Sequence, residues 1–170
     1  MDAQERRQAI ARRLEEASGP VSAAVLAREH SVSRQIIVGD IALLRAGGMD
    51  IAATPRGYVL PAPAAGLVRT LACRHRADQM EEELNAMVDQ GCTVLDVIVE
   101  HPIYGQLTGQ LQISSRYDVE QFLARVQAHD AAPLSMLTGG IHLHTLRCPD
   151  AATCERACAA LKAAGLLLDD

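Results

Sequence analysis

A short segment of small, proline-rich and uncharged residues divides this chain into two parts. The segment is Pro61-Ala62-Pro63-Ala64-Ala65-Gly66, and this composition is typical of a short, stiff linker between domains. A chain of 170 residues is long enough for one domain or for two small ones. We therefore predict two domains, at residues 1–60 and 67–170, joined by a linker at residues 61–66.

The composition of the chain bears on where the protein works. Hydrophobic residues make up 49% of the chain, which is enough to bury a core, yet no uninterrupted apolar run approaches the roughly 20 residues that span a bilayer. The polar N-terminus also lacks the apolar stretch of a signal peptide. We therefore expect a cytoplasmic protein without a membrane partner.

The five cysteines are odd in number and show no tight pair spacing. In a reducing cytoplasm, such cysteines are most simply free thiols that pack as small, mostly buried side chains. They are Cys73, Cys92, Cys148, Cys154 and Cys158.

The two parts of the chain carry different charges. Residues 1–60 contain eight Arg and seven Asp or Glu, a net charge of +1, whereas residues 61–170 contain eight Lys or Arg and fourteen Asp or Glu, a net charge of −6. Binding to nucleic acid needs local basic patches rather than a basic chain overall. The arginine-rich N-terminal part therefore gives weak support to a nucleic-acid surface there.

The N-terminal part has the pattern of three helices followed by a hairpin. Serines that can cap a helix precede the second and third helices, and apolar residues recur at helical spacing. Two short strands around a turn that contains Pro and Gly then form a β-hairpin, or wing. This order is that of a winged helix-turn-helix, a DNA-binding module. The predicted helices cover residues 4–17, 22–30 and 34–46, and the predicted strands cover residues 49–53 and 58–60.

Four residues of this module are candidates for contact with double-stranded operator DNA. Ser33, Arg34 and Gln35 lie on the first turn of the third helix, the part of a recognition helix that meets base edges. Arg34 and Gln35 can form bidentate hydrogen bonds with guanine or adenine. Arg56, in the turn of the wing, can meet phosphate or the minor groove. Each of the four could instead be a solvated surface residue.

The C-terminal part alternates strands and helices in the predicted order β-α-β-β-α-β-β-α. A mostly antiparallel sheet with helices on one face is the economical architecture for this order. The fold class is therefore α+β, with two domains. The predicted strands cover residues 67–75, 92–100, 106–113, 134–137 and 141–146, and the predicted helices cover residues 79–90, 115–129 and 150–164.

The last strand carries two histidines with one residue between them. Alternate side chains of a strand point to the same face, so His142 and His144 present two imidazoles side by side. Two neutral imidazoles on one rigid strand form half of a transition-metal site. The alternative is that both are ordinary polar residues on a solvated sheet face.

Further ligands for the same metal ion must come from segments that the fold can bring close to this strand. His75 ends the first strand of the C-terminal part, and Glu83 lies eight residues on, in the helix that follows. Glu81 and Glu82 are rival carboxylates, and His101 is either a fourth imidazole or a turn residue before a proline. Three imidazoles and a carboxylate suit zinc, nickel or iron, whereas calcium and magnesium prefer oxygen ligands.

Long, nearly ungapped runs of this sequence resemble a known repressor family. In the N-terminal part, residues 33–45 resemble the recognition helix of bacterial winged-helix repressors, and residues 53–58 resemble their wing. Four runs of the C-terminal part resemble the three-histidine regulatory domain. They are Glu81-Glu82-Glu83-Leu84, His101-Pro102-Ile103-Tyr104-Gly105, Ser115-Arg116-Tyr117-Asp118-Val119 and Pro133-Leu134-Ser135-Met136-Leu137-Thr138-Gly139-Gly140-Ile141-His142-Leu143-His144-Thr145. Together, about residues 4–168 resemble the niacin-responsive repressors of NAD biosynthesis.

This resemblance implies an HPr-like fold for the C-terminal domain and a homodimeric repressor of genes for NAD biosynthesis or niacin uptake. It also implies nicotinic acid as co-repressor, bound at or near one divalent transition metal per chain, nickel or zinc. Arg74 or Arg76 could pair with the nicotinate carboxylate, and His101 could lie near that ligand. The metal ligands that the resemblance implies are His75, Glu83, His142 and His144.

Two other classes of function stay open at this point. Three histidines and a carboxylate with an open coordination position could activate water, as in a metal-dependent hydrolase. A DNA-reading domain is an unexpected companion for such chemistry, so we expect that the protein is not an enzyme. A regulator that senses the metal itself is the second alternative.

Overall fold

The computed structural model describes residues 2–61 and 65–168. The chain forms two compact units, Met1–Pro63 and Ala64–Asp170, and the segment expected to be a linker lies at their junction. Residues 62–64 of that segment lie outside the described residues. Among the helices of the described ranges, none is both long enough and apolar enough to cross a membrane.

The N-terminal unit contains three helices and a hairpin within residues 2–61. These elements are α1 (Ala3–Glu15), α2 (Ala23–Glu29), α3 (Arg34–Ala46), β1 (Ala52–Thr54) and β2 (Gly57–Val59). Each helix begins at a side-chain cap, because the first amides of a helix have no partner within it. Ser22 and Ser33 cap α2 and α3, as their positions predicted, and Asp2 caps α1 with Glu5 in a capping box.

Helix α3 is held by an apolar core and by a buried ion pair. Asp40, on the inner side of α3, is only 3% exposed, and its carboxylate accepts a hydrogen bond from Arg6 Nε of α1 at 2.6 Å. A pair of this kind fixes one helix against the other, since removing either partner leaves a buried charge. The core residues are Ile10, Leu14, Val21, Leu26, Ala27, Ile37, Ile41 and Ile51.

The hairpin of β1 and β2 lies against the chain that precedes α2. Val21 and Tyr58 exchange two backbone hydrogen bonds, of 2.8 and 2.9 Å. Gly57 has a φ of 137°, and a Cβ atom there would overlap the backbone of Val21. The glycine of the wing is therefore required both by its own conformation and by the close approach of another segment.

The C-terminal unit is an antiparallel sheet with helices. Its elements within residues 65–168 are β3 (Leu67–Arg74), α4 (Met80–Val88), β4 (Thr93–His101), β5 (Gly105–Ile113), α5 (Arg116–Ala128), β6 (Ile141–Cys148) and α6 (Ala151–Ala163), with short 3₁₀ helices at Ala77–Gln79 and Leu134–Thr138. The strands follow the order β3-β6-β4-β5, so β6 lies between β3 and β4. The predicted α+β class, with a helical DNA-binding domain followed by an antiparallel sheet domain, is confirmed.

The helices of this unit pack on one face of the sheet. In β6, every second residue from His142 to Cys148 is buried, in the alternation that the sequence predicted. The two strand histidines therefore point into the unit and not into solvent, so the alternative of a solvated sheet face is wrong. Core residues come from both layers and include Leu71, Val94, Leu111 and Leu146 of the strands and Leu84, Met87, Val119, Ala157 and Leu161 of the helices.

The strand predicted at residues 134–137 is wrong, because this segment is the 3₁₀ helix Leu134–Thr138. A strand there would form a hairpin with the next strand, β6. Both edges of β6 are already occupied by β3 and β4. The segment instead closes a turn in which the amide of Gly140 donates to the carbonyl of Ser135 at 2.8 Å. Four consecutive apolar or small residues are compatible with either structure, and the sheet order decides between them.

Candidate metal centre and DNA-contacting surface

Three elements bring three histidines and one glutamate together inside the C-terminal unit. His142 and His144 come from β6, His75 follows the end of β3, and Glu83 lies in the first turn of α4. Each is buried, with Glu83 at 0% and His75, the most exposed, at 7%. Because charged and strongly polar groups are rarely buried without a partner, this cluster requires an explanation.

The three histidines of this cluster converge on the Glu83 carboxylate. The distance to the nearer carboxylate oxygen is 2.7 Å from His75 Nε2, 2.9 Å from His142 Nε2 and 3.2 Å from His144 Nε2. The His142 ring lies 4.7 Å from the His75 ring and 4.8 Å from the His144 ring, edge to face in both pairs. All three Nε2 atoms therefore face the same carboxylate.

Backbone carbonyls hold the other nitrogen of each ring. The Nδ1 atoms of His75, His142 and His144 lie 2.6, 2.9 and 2.7 Å from the carbonyl oxygens of Arg76, Gly140 and Asp96 respectively. A carbonyl can only accept, so each Nδ1 carries a proton, and in a neutral imidazole the Nε2 lone pair then faces the carboxylate. Lone pairs that face a carboxylate repel it unless a cation lies between them. This donor set fits a transition metal, since backbone carbonyls commonly orient metal-binding histidines in this way.

The ionisation of the cluster also indicates a need for positive charge. Burial alone would raise the pKa of Glu83, but hydrogen bonding to His142, His144 and His75 outweighs burial and lowers this pKa well below its usual range. Burial lowers the pKa of His75, but the hydrogen bond and charge of Glu83 raise it above its usual value. A buried carboxylate of this kind is balanced either by protons on the imidazoles or by a bound cation.

Gly140 positions two of the histidines. Its carbonyl oxygen lies 2.9 Å from His142 Nδ1 and accepts a hydrogen bond from the amide of His75 at 3.3 Å. Its φ is 92°, and a Cβ atom there would overlap the carbonyl oxygen of His75. The two glycines before β6 therefore do more than form a turn, because the second allows the end of β3 to approach β6 closely.

A bulge in β4 supplies the carbonyl for His144. The pairing register of β4 shifts between Val94 and Asp96 against both of its neighbours, and it is the carbonyl of Asp96 that faces His144 Nδ1. Bulges often change the direction of a backbone or side-chain group beside a functional site. No sequence pattern predicted this one.

The structure separates the rival carboxylates and places the remaining histidine. Glu81 and Glu82 are exposed on α4, whereas Glu83 is completely buried. His101 lies at the end of β4, where its Nδ1 accepts hydrogen bonds from the amides of Ile103 and Tyr104 at 3.1 and 3.3 Å. In this structure His101 is therefore a turn residue and not a member of the buried cluster.

Sequence reasoning missed Cys73 as part of this cluster. Cys73 pairs directly with His142 in the β3–β6 ladder, and its side chain is completely buried. Its Sγ, a carboxylate oxygen of Glu83 and a ring nitrogen of His142 all lie within 4.8 Å of one another. Burial, together with the nearby Glu83 carboxylate, raises the pKa of the Cys73 thiol. The spacing of Cys73 and His75, two residues apart on one strand, was the available signal.

A cavity of about 320 Å³ lies beside His142, where β4 and β6 diverge. Its polar lining comes from Glu100, Gln106 and Thr138 in addition to His142, and the rest is apolar: Ile98, Val99, Ile141 and Leu143. Pockets for small ligands typically combine an apolar wall with a few polar groups. The volume and the mixed lining therefore suit a small molecule.

The two arginines beside His75 differ in their surroundings. Arg76 is exposed and forms an ion pair with Asp78, with Arg76 Nε 3.1 Å from the carboxylate. Arg74 is exposed and stands opposite Ile141 in the β3–β6 ladder. Because directly paired residues share a face of the sheet, Arg74 is next to a residue that lines the cavity.

The candidate DNA-contacting residues of the N-terminal unit lie at the start of α3 and in the wing. Arg34 and Gln35 are exposed, and Ser33 is exposed while its hydroxyl caps the helix. Arg56 is half-buried in the turn of the wing, where its amide donates to Thr54 Oγ1 at 3.2 Å. The outer face of α3 also exposes apolar side chains, such as Ile36 at 42%.

Comparison with known proteins identifies both units. Residues 68–170 match the 3H domain and residues 6–59 match an HTH domain. The chain is 46% identical over 167 residues to a "Probable transcription repressor NiaR" of Thermotoga maritima, which covers 98% of this chain and 95% of the relative. It is 45% identical over 161 residues to a "Transcription repressor NadR" of Bacillus subtilis, with coverages of 92% and 89%.

These relatives match the chain almost end to end, and both are named as transcription repressors. The resemblance identified from the sequence runs is therefore confirmed. The expectation that the protein is not an enzyme is also confirmed, and the alternative of a metal-dependent hydrolase is wrong. The chain belongs to the 3H-domain family, in the group of transcription repressors that carry an N-terminal helix-turn-helix domain.

Proposed function

We propose that this repressor controls genes of NAD biosynthesis or niacin uptake, with nicotinic acid as its co-repressor and one divalent transition metal per chain. The observation that carries the proposal is the convergence of three Nε2 atoms on the Glu83 carboxylate, with every Nδ1 bound to a backbone carbonyl. The family of NAD-related repressors that the chain resembles supports the choice of effector.

His75, Glu83, His142 and His144 would hold the metal. When bound, the metal supplies a Lewis-acidic position to which a pyridine nitrogen or a carboxylate can bind. The protein's own contribution is to fix the ring orientations through backbone carbonyls and to exclude water by burial. Nitrogen-rich ligands favour nickel or zinc over calcium and magnesium.

The cavity beside His142 supports a small aromatic acid as the effector. Its apolar walls suit a flat ring, and its volume of about 320 Å³ is at the lower end of the range for small-molecule sites. Of the three residues expected near the effector, Arg74 is the best candidate to meet the carboxylate, since it stands opposite Ile141. Arg76 is engaged by Asp78, and His101 by its own turn, so we assign both a smaller role.

For DNA, we propose that a homodimer in the cytoplasm presents two copies of α3 to operator half-sites about one helical turn, or a multiple of it, apart. Arg34 and Gln35 would read base edges, with Ser33 at the start of the same turn, and Arg56 would meet the backbone or minor groove. Nicotinic acid can change operator affinity only by binding one dimer state more tightly than the other.

A metal-sensing regulator is the second candidate. Its sensor would need to exchange metal readily, yet all four proposed ligands are at most 7% exposed. Such burial favours a metal that stays bound as a cofactor. Metal content as purified distinguishes the two, because a cofactor is present at about one equivalent regardless of metal supply during growth.

A gel-shift titration tests the proposal. We expect metal-replete protein to bind operator DNA more tightly as nicotinic acid is added. Benzoic acid, which lacks the ring nitrogen, distinguishes the two modes of binding, because it should act only if the carboxylate binds the metal. Protein treated with a chelator should lose the response to nicotinic acid. An operator affinity that ignores nicotinic acid in metal-replete protein would exclude the co-repressor role. If light scattering gave the Stokes radius of a monomer, the proposed dimer would be excluded.

A further inference from the structure

We propose that Cys73 supplies a sulfur ligand to the metal centre, in addition to the three histidines and Glu83. This inference rests on the proposed function, because it concerns the same metal. From the sequence, Cys73 was expected only to pack as a small, buried thiol.

The first argument is position. Cys73 lies near the end of β3, two residues before His75, which follows the strand. Cys73 also pairs directly with His142 of β6. Because directly paired residues share a face of the sheet, the thiol reaches the cluster from the strand next to His142.

The second argument is distance. Cys73 Sγ, a Glu83 carboxylate oxygen and a His142 ring nitrogen lie within 4.8 Å of one another. Two ligand atoms bonded to one ion at roughly 2.0–2.3 Å each can be at most about 4.6 Å apart. An upper bound of 4.8 Å is close to that limit, so the thiol lies near enough to share an ion with Glu83 and His142.

The other buried thiols have different surroundings. Cys92 and Cys148 contact each other, with their sulfur atoms 3.2 Å apart. All four buried cysteines, Cys73 and Cys154 included, pack in the apolar core of the unit, so the neighbours of each thiol and not its burial make the difference. Among the described residues, Cys73 is the cysteine that forms a candidate metal group with a carboxylate and an imidazole. Packing alone explains Cys92 and Cys148, whereas Cys73 faces the glutamate.

The chemistry of coordination is a simple exchange. The Cys73 thiol releases its proton to solvent water as the sulfur–metal bond forms, and no electron is transferred. Three nitrogens, one oxygen and one sulfur exceed the four ligands that zinc usually takes in proteins. A five-donor set favours a metal that accepts five or six ligands, such as nickel or cobalt, and a sixth position then stays open for the effector.

Cobalt(II) titration of the full-length, metal-depleted protein tests this inference. Bound cobalt gives visible ligand-field bands, and a sulfur ligand adds an intense charge-transfer band in the near ultraviolet. We expect both for the natural protein. Cys73→Ser should keep the visible bands, lose the charge-transfer band and weaken cobalt binding at least about tenfold. Cys158→Ala, which removes a half-buried thiol of α6, should retain both bands.

The possible failures are distinguishable. Visible bands without a charge-transfer band in the natural protein would overturn the role of Cys73 and leave the proposed function intact. The absence of any cobalt spectrum would overturn both, since there would be no metal centre. X-ray absorption of the nickel-loaded protein is the second measurement, and a metal–sulfur distance of about 2.3 Å that is missing in Cys73→Ser would support the inference.

Discussion

The two units of this protein carry their candidate sites in opposite ways. At the start of α3, Arg34 and Gln35 extend into solvent from a helix whose inner face packs in the core. In the C-terminal unit, Glu83 and its histidines are enclosed, and every ring nitrogen has a partner. An exposed site suits a large partner that stays outside the protein, whereas the enclosed arrangement suits the proposed ion, for which the protein must provide the contacts itself.

This difference determines how each site responds to mutation. Residues of the exposed site make few contacts within their own unit, so a substitution there should affect binding and leave stability almost unchanged. Residues of the buried site position one another, so a substitution should change metal binding, stability or both. The four predictions that follow test this contrast, from the largest expected effect to the smallest.

The largest effect is expected from Glu83→Gln. The substitution keeps the shape of the side chain but removes the only charge that the three imidazoles share, so metal affinity should fall by more than about 100-fold. Competition with a chromophoric chelator measures the change. Glu82→Gln, one residue away but exposed, is the control and should bind metal normally. Equal affinities for the two variants would contradict the assignment of Glu83.

The second effect is expected from Gly140→Ala. Its φ of 92° and the overlap of a Cβ with the His75 carbonyl should together cost about 3 kcal/mol or more of unfolding free energy. Gly139→Ala is the matched control, because its φ of 62° is also left-handed but its Cβ would meet no atom within 4 Å. The control should cost about 1 kcal/mol. Urea unfolding measures both, and similar losses would show that the approach of β3 is unimportant.

The third effect is expected from Gln35→Ala on the exposed side. Loss of a bidentate contact with a base should weaken operator binding by about 1–3 kcal/mol, with no change in melting temperature or metal content. Gln8→Ala, an exposed position of α1, is the control. Fluorescence anisotropy with operator DNA and with an unrelated duplex separates a specific contact from a general loss. A fall in melting temperature for Gln35→Ala would contradict the expectation that residues of the exposed site contribute little to stability.

The smallest effect is expected from Gly39→Ala. The substitution should raise the stability of the unit but lower its affinity for operator DNA. A glycine within a helix costs stability, and a Cβ at Gly39 would meet nothing within 4 Å, so alanine should stabilise the unit by about 0.4–1 kcal/mol. Gly39 lies one turn after Gln35 on the same exposed face, where an added methyl group would hinder close approach to DNA.

For Gly39→Ala, we therefore expect a severalfold lower operator affinity together with a higher melting temperature. The control is Gly19→Ala, whose Cβ also meets nothing within 4 Å and which lies outside α3. Tighter or unchanged operator binding by Gly39→Ala would show that this part of the helix does not approach DNA closely.

Much of the fold could be predicted from local patterns. The caps at Ser22, Ser33 and Asp150 mark helix starts, because a side chain that satisfies free amides acts over three residues only. The burial of His142 and His144 on one face follows from strand alternation. Such features depend on neighbours in the sequence, and they are correctly predicted without knowledge of the rest of the molecule.

Other features depend on distant segments and escaped prediction. The apolar run at residues 134–137 is a 3₁₀ helix because β6 has no free edge. Cys73 belongs to the buried cluster because β3 pairs with β6 in one particular register. Residue spacing alone left Glu81, Glu82 and Glu83 open, and the family resemblance implied Glu83. The side of α4 that faces the sheet makes Glu83 the buried one of the three.

Residue types and spacing alone determined that the chain forms a helical unit of the DNA-binding type and a sheet unit with histidines on one face. This was possible because hydrophobic periodicity and helix caps are local properties. Tertiary structure decided which polar groups meet. Strand register, the bulge before Asp96 and the close approach at Gly140 bring donors from β3, α4 and β6 to one point. Such convergence depends on the packing of segments that are far apart in the chain, and no local pattern of residues encodes it.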